Sequence, residues 1–392
     1  MPGWHATTLA DVEEGKLQVI GIIQEQHPDR CQLFMQWHEM DWPIWVDSLN
    51  LLEVTAVPIT LLIDETGVIR AVNPSKDRYR EFLETPRPSP DAYPTLAAYP
   101  KRPTYSQPAV DDTRPKVWSD FAINTFLWGK PSDLTQAIHA FGKAKTLAPE
   151  DGTIAFRLGA THRKRFDSDY RDAADFTLAI ENWAEALELD PNQYIWRRRI
   201  QQYGPRLDKP YPFYDWVEEA RMAIVARGAT PHPLVVEPGG AEIAAPAKQL
   251  APEETEDIVE PDPQGRILRD ETYVTLDATV VGDTSQPGQA IRVHLLWTPN
   301  ESLKAHWNNE AENMSIWLES TDGWQTPAQN LTFMNPPQIV ESTPRAFDFE
   351  LRRVDADSQS EVLKGYALYY VCEDINGVCL YRRQDFEVSL RP

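Results

Sequence analysis

Tyr369-Tyr370-Val371-Cys372-Glu373-Asp374-Ile375-Asn376-Gly377-Val378-Cys379-Leu380-Tyr381 is the stretch on which the C-terminal part of this chain turns. Tyrosine, valine and leucine at its two ends favour a half-buried pleated surface, and Asp374, Asn376 and Gly377 supply turn chemistry between them. The segment therefore reads as a β-hairpin with a cysteine in each strand. Two registers are open. A four-residue loop, Asp374 to Gly377, sets Cys372 opposite Cys379, whereas a two-residue Asn376-Gly377 turn sets Cys379 opposite Asp374. A bond closing so short a ring would contribute roughly 2.5 kcal/mol by chain entropy. A structural staple, an exchangeable dithiol and an unpaired state of the two cysteines all remain open.

Upstream of the hairpin, Tyr273 to Val281, Ala290 to Trp297, Met314 to Leu318 and Phe347 to Val354 are strand-like runs divided by Gly, Pro and Asn clusters. Together with Leu363 to Cys372 and Val378 to Val388, they predict an antiparallel β-sandwich over residues 266–392. Residues 231–265 are rich in Pro, Ala and Glu and poor in large apolar side chains, so they read as a flexible tether. Over residues 117–230 the hydrophobic period becomes helical. Two segments there resemble each other: Ala137-Ile138-His139-Ala140-Phe141-Gly142-Lys143-Ala144-Lys145-Thr146-Leu147-Ala148-Pro149, and Ala179-Ile180-Glu181-Asn182-Trp183-Ala184-Glu185-Ala186-Leu187-Glu188-Leu189-Asp190-Pro191. Small residues beside one large aromatic, then a leucine and a helix-ending proline, suit close helix packing. Their prolines stand 42 positions apart, with Phe166 to Asp172 as the insertion. Asp167, Asp169 and Asp172 are expected on a solvated loop, and Arg197-Arg198-Arg199 on a solvated helix face.

Residues 76–116 contain runs such as Thr85-Pro86-Arg87-Pro88-Ser89-Pro90 and are predicted to be a linker without regular helix. Within residues 1–75, the apolar run Leu17 to Ile23 suits a buried parallel strand. Asp29 is placed to N-cap the following helix with Gln32 completing a capping box, and Leu33, Phe34 and Trp37 share one face. Pro43 to Val46 should return as an extended segment. Ile59 to Ile63 and Val68 to Val72 flank Asp64-Glu65-Thr66-Gly67 as a hairpin.

At 392 residues, two to four domains are expected, and 42% apolar residues with 13 Trp suffice to fill their cores. A net charge of −22 repels phosphate backbones, which excludes nucleic acid as a partner class. No run of eighteen apolar residues is present, so no membrane-spanning helix is predicted. Met1-Pro2-Gly3-Trp4-His5 has neither a basic nor an apolar export region, so no signal peptide is expected in the chain as given. Three cysteines are compatible with one disulfide and one free thiol. Cys31 is the candidate free thiol: it falls in the first turn of the predicted helix, where the dipole favours thiolate, or it is simply a small half-buried residue. With His27 and His38 it lacks a fourth metal ligand at useful spacing. No metal and no cofactor is implied.

Three resemblances add to this reading. Val57-Pro58-Ile59-Thr60-Leu61-Leu62-Ile63-Asp64-Glu65-Thr66-Gly67-Val68-Ile69 resembles the redoxin branch of the thioredoxin-like superfamily, which implies that Pro58 takes the place of the family's cis-proline. The family's Cys-x-x-Cys strand is not found, so the resemblance implies an incomplete thioredoxin-like α/β domain. The two helical segments resemble the second helix of a tetratricopeptide repeat. Ala305-His306-Trp307-Asn308-Asn309-Glu310, Trp317-Leu318-Glu319-Ser320-Thr321-Asp322-Gly323-Trp324 and the cysteine hairpin resemble the N-terminal domain of thiol:disulfide interchange protein DsbD. This last resemblance implies an immunoglobulin-like β-sandwich with Cys372 and Cys379 as a redox pair on neighbouring strands. It also implies an extracytoplasmic, periplasmic setting and a thioredoxin-like or other redox protein as partner. The chain departs from that pattern in the six residues between its two cysteines and in Leu380-Tyr381, where the family has an aromatic and prolines. Tyr370, Tyr381, Arg382 and Arg383 are expected to shield or electrostatically activate the sulfurs. The expected whole is a multidomain α+β protein that takes part in thiol-disulfide exchange or in docking such partners. A non-catalytic scaffold with a purely structural disulfide is the other reading.

Overall fold

The computed structural model describes residues 2–55, 57–86, 106–204, 213–239, 242, 259–282, 290–326, 328–355, 360–373 and 379–390. The chain divides into two compact units. One comprises Met1–Asp172, Glu181–Arg198 and Val217–Val236; the other comprises Ala173–Ile180, Arg199–Trp216 and Glu237–Pro392. The fold is mixed α+β, with helices concentrated in the first unit and antiparallel sheet in the second.

The first unit begins with α1 (Pro2–Glu13), β1 (Gly21–Ile23), α2 (Pro28–Trp37) and β2 (Ile44–Val46), and β1 pairs with β2 in parallel. β3 (Leu61–Ile63) and β4 (Ile69–Val72) form the expected antiparallel hairpin. Among the described residues these are two separate two-stranded sheets. The turn is fixed by Asp64, whose carboxylate accepts from the Thr66 and Val68 amides at 2.9 and 3.0 Å, and by Gly67 at φ +80°. The Val57–Pro58 bond is cis.

Several local expectations for this unit need correction. The apolar run from Leu17 is strand only from Gly21, and Ile20 and Ile22 are exposed, because a two-stranded sheet offers no second layer to that face. His27, not Asp29, occupies the N-cap of α2; the Asp29 carboxylate accepts instead from the Val235 amide at 2.8 Å. Residues 76–84, placed in the linker, form α3 (Lys76–Glu84). Its Ser75 hydroxyl caps the Arg78 amide, and no proline interrupts Lys76 to Glu84. The proline-rich run from Arg87 lies outside the described residues. At the start of the expected tether, His232 and Val235 donate their amides to Gln36 and Asp29 of α2.

The helical segment comprises α4 (Pro115–Trp128), α5 (Leu134–Leu147), α6 (Gly152–Phe166), α7 (Asp175–Leu189), α8 (Tyr194–Gln201) and α9 (Val217–Ala226). Small residues at helical spacing in the two similar segments are buried, Ala137, Ala140 and Ala144 on α5 and Ala179 and Ala186 on α7, while Ala184 is exposed. Trp183 is fully buried and donates its indole N–H to the Phe156 carbonyl at 3.2 Å. Two charged residues are not solvated as expected. Asp167 is bonded by Arg163 at 3.0 Å and His27 at 3.4 Å. Arg199 is only 2% exposed, because helical spacing puts it on the α8 stripe of Ile195 and Trp196.

The second unit contains β5 (Val274–Val281), β6 (Ala290–Pro299), β7 (Ala305–Asn308), β8 (Met314–Leu318), β9 (Trp324–Gln325), β10 (Asn330–Phe333), β11 (Val340–Glu341), β12 (Arg345–Arg353), β13 (Val362–Glu373) and β14 (Cys379–Ser389). One antiparallel sheet runs β5-β6-β12-β9; the other runs β10-β8-β13-β7-β11, with β14 on the opposite side of β13. Alternate residues of both sheets meet in one core: Ile291, Val293, Leu295 and Trp297 of β6, Phe347 and Phe349 of β12, and Tyr369, Val371 and Phe386 from the β13–β14 pair. All six strand-like runs recur. The strands that composition did not resolve, β7, β9, β10 and β11, are two to four residues long.

Candidate functional site

The site is built on the outer face of the second sheet, opposite the core. Val371 and Leu380 turn inward, so their neighbours Cys372 and Cys379 turn outward. The two cysteines are directly opposed in the ladder, the register that the four-residue loop requires. The loop itself lies outside the described residues. The hydrogen-bond parity explains why the sulfurs can meet. Arg383 uses its own N–H and C=O on Leu268 and Asp270, at 3.0 and 3.1 Å, so its pair with Leu368 is of the non-hydrogen-bonded kind. Counting by twos, so are Tyr370 with Tyr381 and Cys372 with Cys379. Side chains are closest at such positions. A disulfide joins Cys372 and Cys379, whose α-carbons are 3.9 Å apart.

The two sulfurs differ in access. Cys372 lies in a strand flanked on both sides, by β14 and by β7, and is 4% exposed. Cys379 begins an outer strand and is exposed. One step along the same face, the Tyr370 and Tyr381 rings stack with centroids 4.4 Å apart and planes 20° from parallel. Burial raises both phenol pKa values, with Glu312 adding to the rise at Tyr370 and Tyr370 adding to that at Tyr381. The outer face continues into Leu368, Tyr366 and Trp317, a small apolar cluster against which Ile267 and Tyr381 pack.

Arg382 and Arg383, read from sequence as positive charge beside the sulfurs, are both engaged by carboxylates. The Arg382 Nε is 3.3 Å from Asp270. Arg383 bonds Asp262 at 3.0 Å and Asp385 at 2.7 Å and stacks 3.7 Å over the Tyr366 ring. Asp262 also donates its amide to the Tyr366 hydroxyl at 3.1 Å. Residues 260–270, which run from the end of the expected tether (231–265) into the expected sandwich, are thereby held against β13 and β14.

The remaining sequence-predicted residues are not part of the second unit. Cys31 and Pro58 both belong to the first unit. Cys31 is a free thiol of intermediate exposure, and burial, assisted by the nearby Glu25 carboxylate, pushes its pKa up to about 11. This reverses the effect expected of a helix N-terminus. His27 turns to Asp167, and His38 packs with tilted rings against Phe34 and Trp37. Among the described residues no group of three or more His, Cys, Asp or Glu side chains could hold a metal ion, and no helix is long and apolar enough to cross a membrane.

One residue of the site was not singled out from sequence. His306 of β7 is the direct ladder partner of Cys372, on the side away from Cys379. Trp307 is a core residue, which by alternation puts His306 outward. The alternation was readable; the register of β7 against β13 was not.

No family model matches the chain, and no curated protein matches it. Among solved structures it is similar to a yeast GGA1 GAE domain, described as "Crystal structure of yeast GGA1_GAE domain-P21", at 13% identity and a TM-score of 0.20, over 32% of this chain and 99% of that one. It is also similar to BslA, a bacterial hydrophobin, at 13% identity and a TM-score of 0.16, over 31% of this chain and 97% of that one. Likeness at that level carries no argument about fold or function.

Proposed function

We propose that this protein takes part in thiol-disulfide exchange through Cys372 and Cys379, with a thioredoxin-like or other redox protein as partner. The observation that supports this most is the asymmetry of the pair: one sulfur on an open outer strand, the other enclosed between two strands. Exchange needs one attackable sulfur and one leaving sulfur. A partner thiolate attacks the Cys379 Sγ, forming a mixed disulfide, and the Cys372–Cys379 bond breaks with its electron pair on the Cys372 Sγ. The partner's second thiolate then attacks its own sulfur in the mixed disulfide and releases Cys379 as thiolate. Two electrons pass from the partner dithiol to this chain; the reverse sequence oxidises the partner.

The DsbD-like reading of the second unit, including an immunoglobulin-like sandwich, belongs to this proposal, as does an oxidising, extracytoplasmic compartment, where disulfides persist. The first unit, with its thioredoxin-like and tetratricopeptide-like features, would serve as a docking part. In the scaffold reading, the enclosed Cys372 makes the bond an inert staple. Incubating the oxidised chain with reduced glutathione, quenching with acid and mapping adducts by mass spectrometry separates the two. Glutathione on Cys379 is expected; a chain that stays adduct-free under conditions that reduce a control disulfide supports the scaffold.

A further inference from the structure

We infer that His306 is the proton donor that receives the Cys372 sulfur as it leaves, an assignment that rests on the exchange reading above. The three side chains His306, Cys372 and Cys379 form one row across adjacent strands β7, β13 and β14, all on the outer face. Cys372 is the middle member, so the sulfur that must leave lies between the sulfur under attack and an imidazole. The Cys372–Cys379 pair is of the non-hydrogen-bonded kind, so the Cys372 backbone N–H and C=O point to β7 and fix His306 in the adjoining position. Side chains directly opposed in this way stand about 5 Å apart at their β-carbons. His306 is 9% exposed, so it acts where water is scarce and a new thiolate is poorly solvated. Its Nδ1 makes a long contact of 3.5 Å to the Lys304 carbonyl, and its Nε2 has no hydrogen-bond partner among the described residues.

In the exchange step the incoming thiolate forms a bond to the Cys379 Sγ. The old S–S bond breaks toward the Cys372 Sγ, and that sulfur takes a proton from the His306 imidazolium, leaving neutral imidazole, which recovers a proton from solvent. No further oxidant or reductant enters. The role is directional: it lowers the barrier for cleavage at Cys379 and leaves attack at Cys372 unassisted. The other titratable or charged groups near the row are Lys304, which immediately precedes β7, Tyr370 on β13, Tyr381 on β14, and Glu312 in the turn between β7 and β8; Glu341 of β11 and Glu373 of β13 alternate to the opposite face.

The test follows reduction of the full oxidised chain by dithiothreitol from about pH 5 to about pH 9, where imidazole changes charge, in the wild-type chain and in His306→Gln. Glutamine keeps a polar side chain of similar size but cannot supply an acidic proton. The expected result is reduction slowed by roughly tenfold or more, as for loss of a general acid, together with loss of the low-pH limb of the profile. Equal rates and profiles overturn the role of His306 while leaving the exchange reading standing. A wild-type disulfide that resists dithiothreitol overturns the exchange reading and this role with it. Should His306→Gln not fold, NMR titration of the His306 ring in wild-type chain decides: a titration that shifts on reduction of the disulfide supports the role, and one unchanged between oxidised and reduced forms overturns it.

Discussion

Two antiparallel hairpins of this chain carry comparably apolar side chains and dispose of them differently. In β3–β4, Leu61, Ile63, Ile69 and Val72 share a surface on which Leu61 is 44% and Ile69 53% exposed, and Leu62 alone of the β3 residues is buried. In β13–β14, Leu363, Ala367, Tyr369, Val371, Phe386 and Val388 are buried because a second sheet lies over them. On the outer face of the same hairpin, Tyr366 and Arg383 are buried under the Asp262 contacts of residues 260–270, while Lys364, Cys379 and Glu387 are exposed. Both hairpins form from local pattern and turn chemistry. What separates them is a covering layer supplied from distant sequence, and a two-stranded hairpin without one is marginal.

The largest effect should follow from opening the covered side. Trp297 is fully buried between Phe347 and Phe386, with edge-to-face ring centroids at 5.4 and 5.8 Å. Trp297→Ala is expected to lower the stability of the second unit by about 3–5 kcal/mol, measured as the midpoint of urea unfolding followed by near-UV circular dichroism. A loss below about 1 kcal/mol, the level of a surface change, would mean that the two sheets do not share a core.

Two glycines sharpen the comparison. A β-carbon at Gly365 of β13 would meet the Trp317 carbonyl oxygen and sit 2.7 Å from the Phe386 ring, neither of which has room to yield. A β-carbon at Gly21 of β1 would meet the end of the Ile44 side chain, which can rotate away. Gly365→Ala should therefore destabilise by about 1–3 kcal/mol and Gly21→Ala by under about 1 kcal/mol, each read from denaturant midpoints. Equal losses would contradict the contrast. On the exposed hairpin, Ile69→Thr should change stability by no more than about 0.5 kcal/mol.

Cys31 tests the first unit by its chemistry. With Cys372 and Cys379 bonded, it is the free thiol of the chain. Its pKa is raised by burial to about 11 in the folded state. The proton is held more tightly when folded, so the thiolate becomes populated only as pH rises toward that value. Native Cys31 should accordingly react with iodoacetamide more slowly at about pH 9 than in urea-unfolded chain, where the ordinary thiol pKa of about 8.5 applies. Equal rates would show that the α2 environment does not shield it.

Much of the second unit was legible in the sequence because its strands are long, alternate cleanly and are punctuated by turn residues. The outward placement of Cys372 and Cys379 follows from the same alternation, which sends Val371 and Leu380 into the core. Three things were not legible, for physical reasons. The exposure of Ile20 and Ile22 depends on whether a layer covers them, which a local apolar run does not encode. Arg382 and Arg383 read as free positive charge next to the cysteines, yet Asp262 and Asp270, more than a hundred residues earlier, engage them. His306 joins the site through the register of a four-residue strand that has no turn signal tying it to the hairpin.

The reduction potential of the Cys372–Cys379 couple, measured by equilibrating the full chain in glutathione and dithiothreitol redox buffers and alkylating the free thiols, tests the exchange proposal most directly. An exchangeable pair is expected to have a potential above about −300 mV, within reach of thioredoxin-like partners. A potential below that value would contradict the proposal and leave Cys372 and Cys379 as a structural staple.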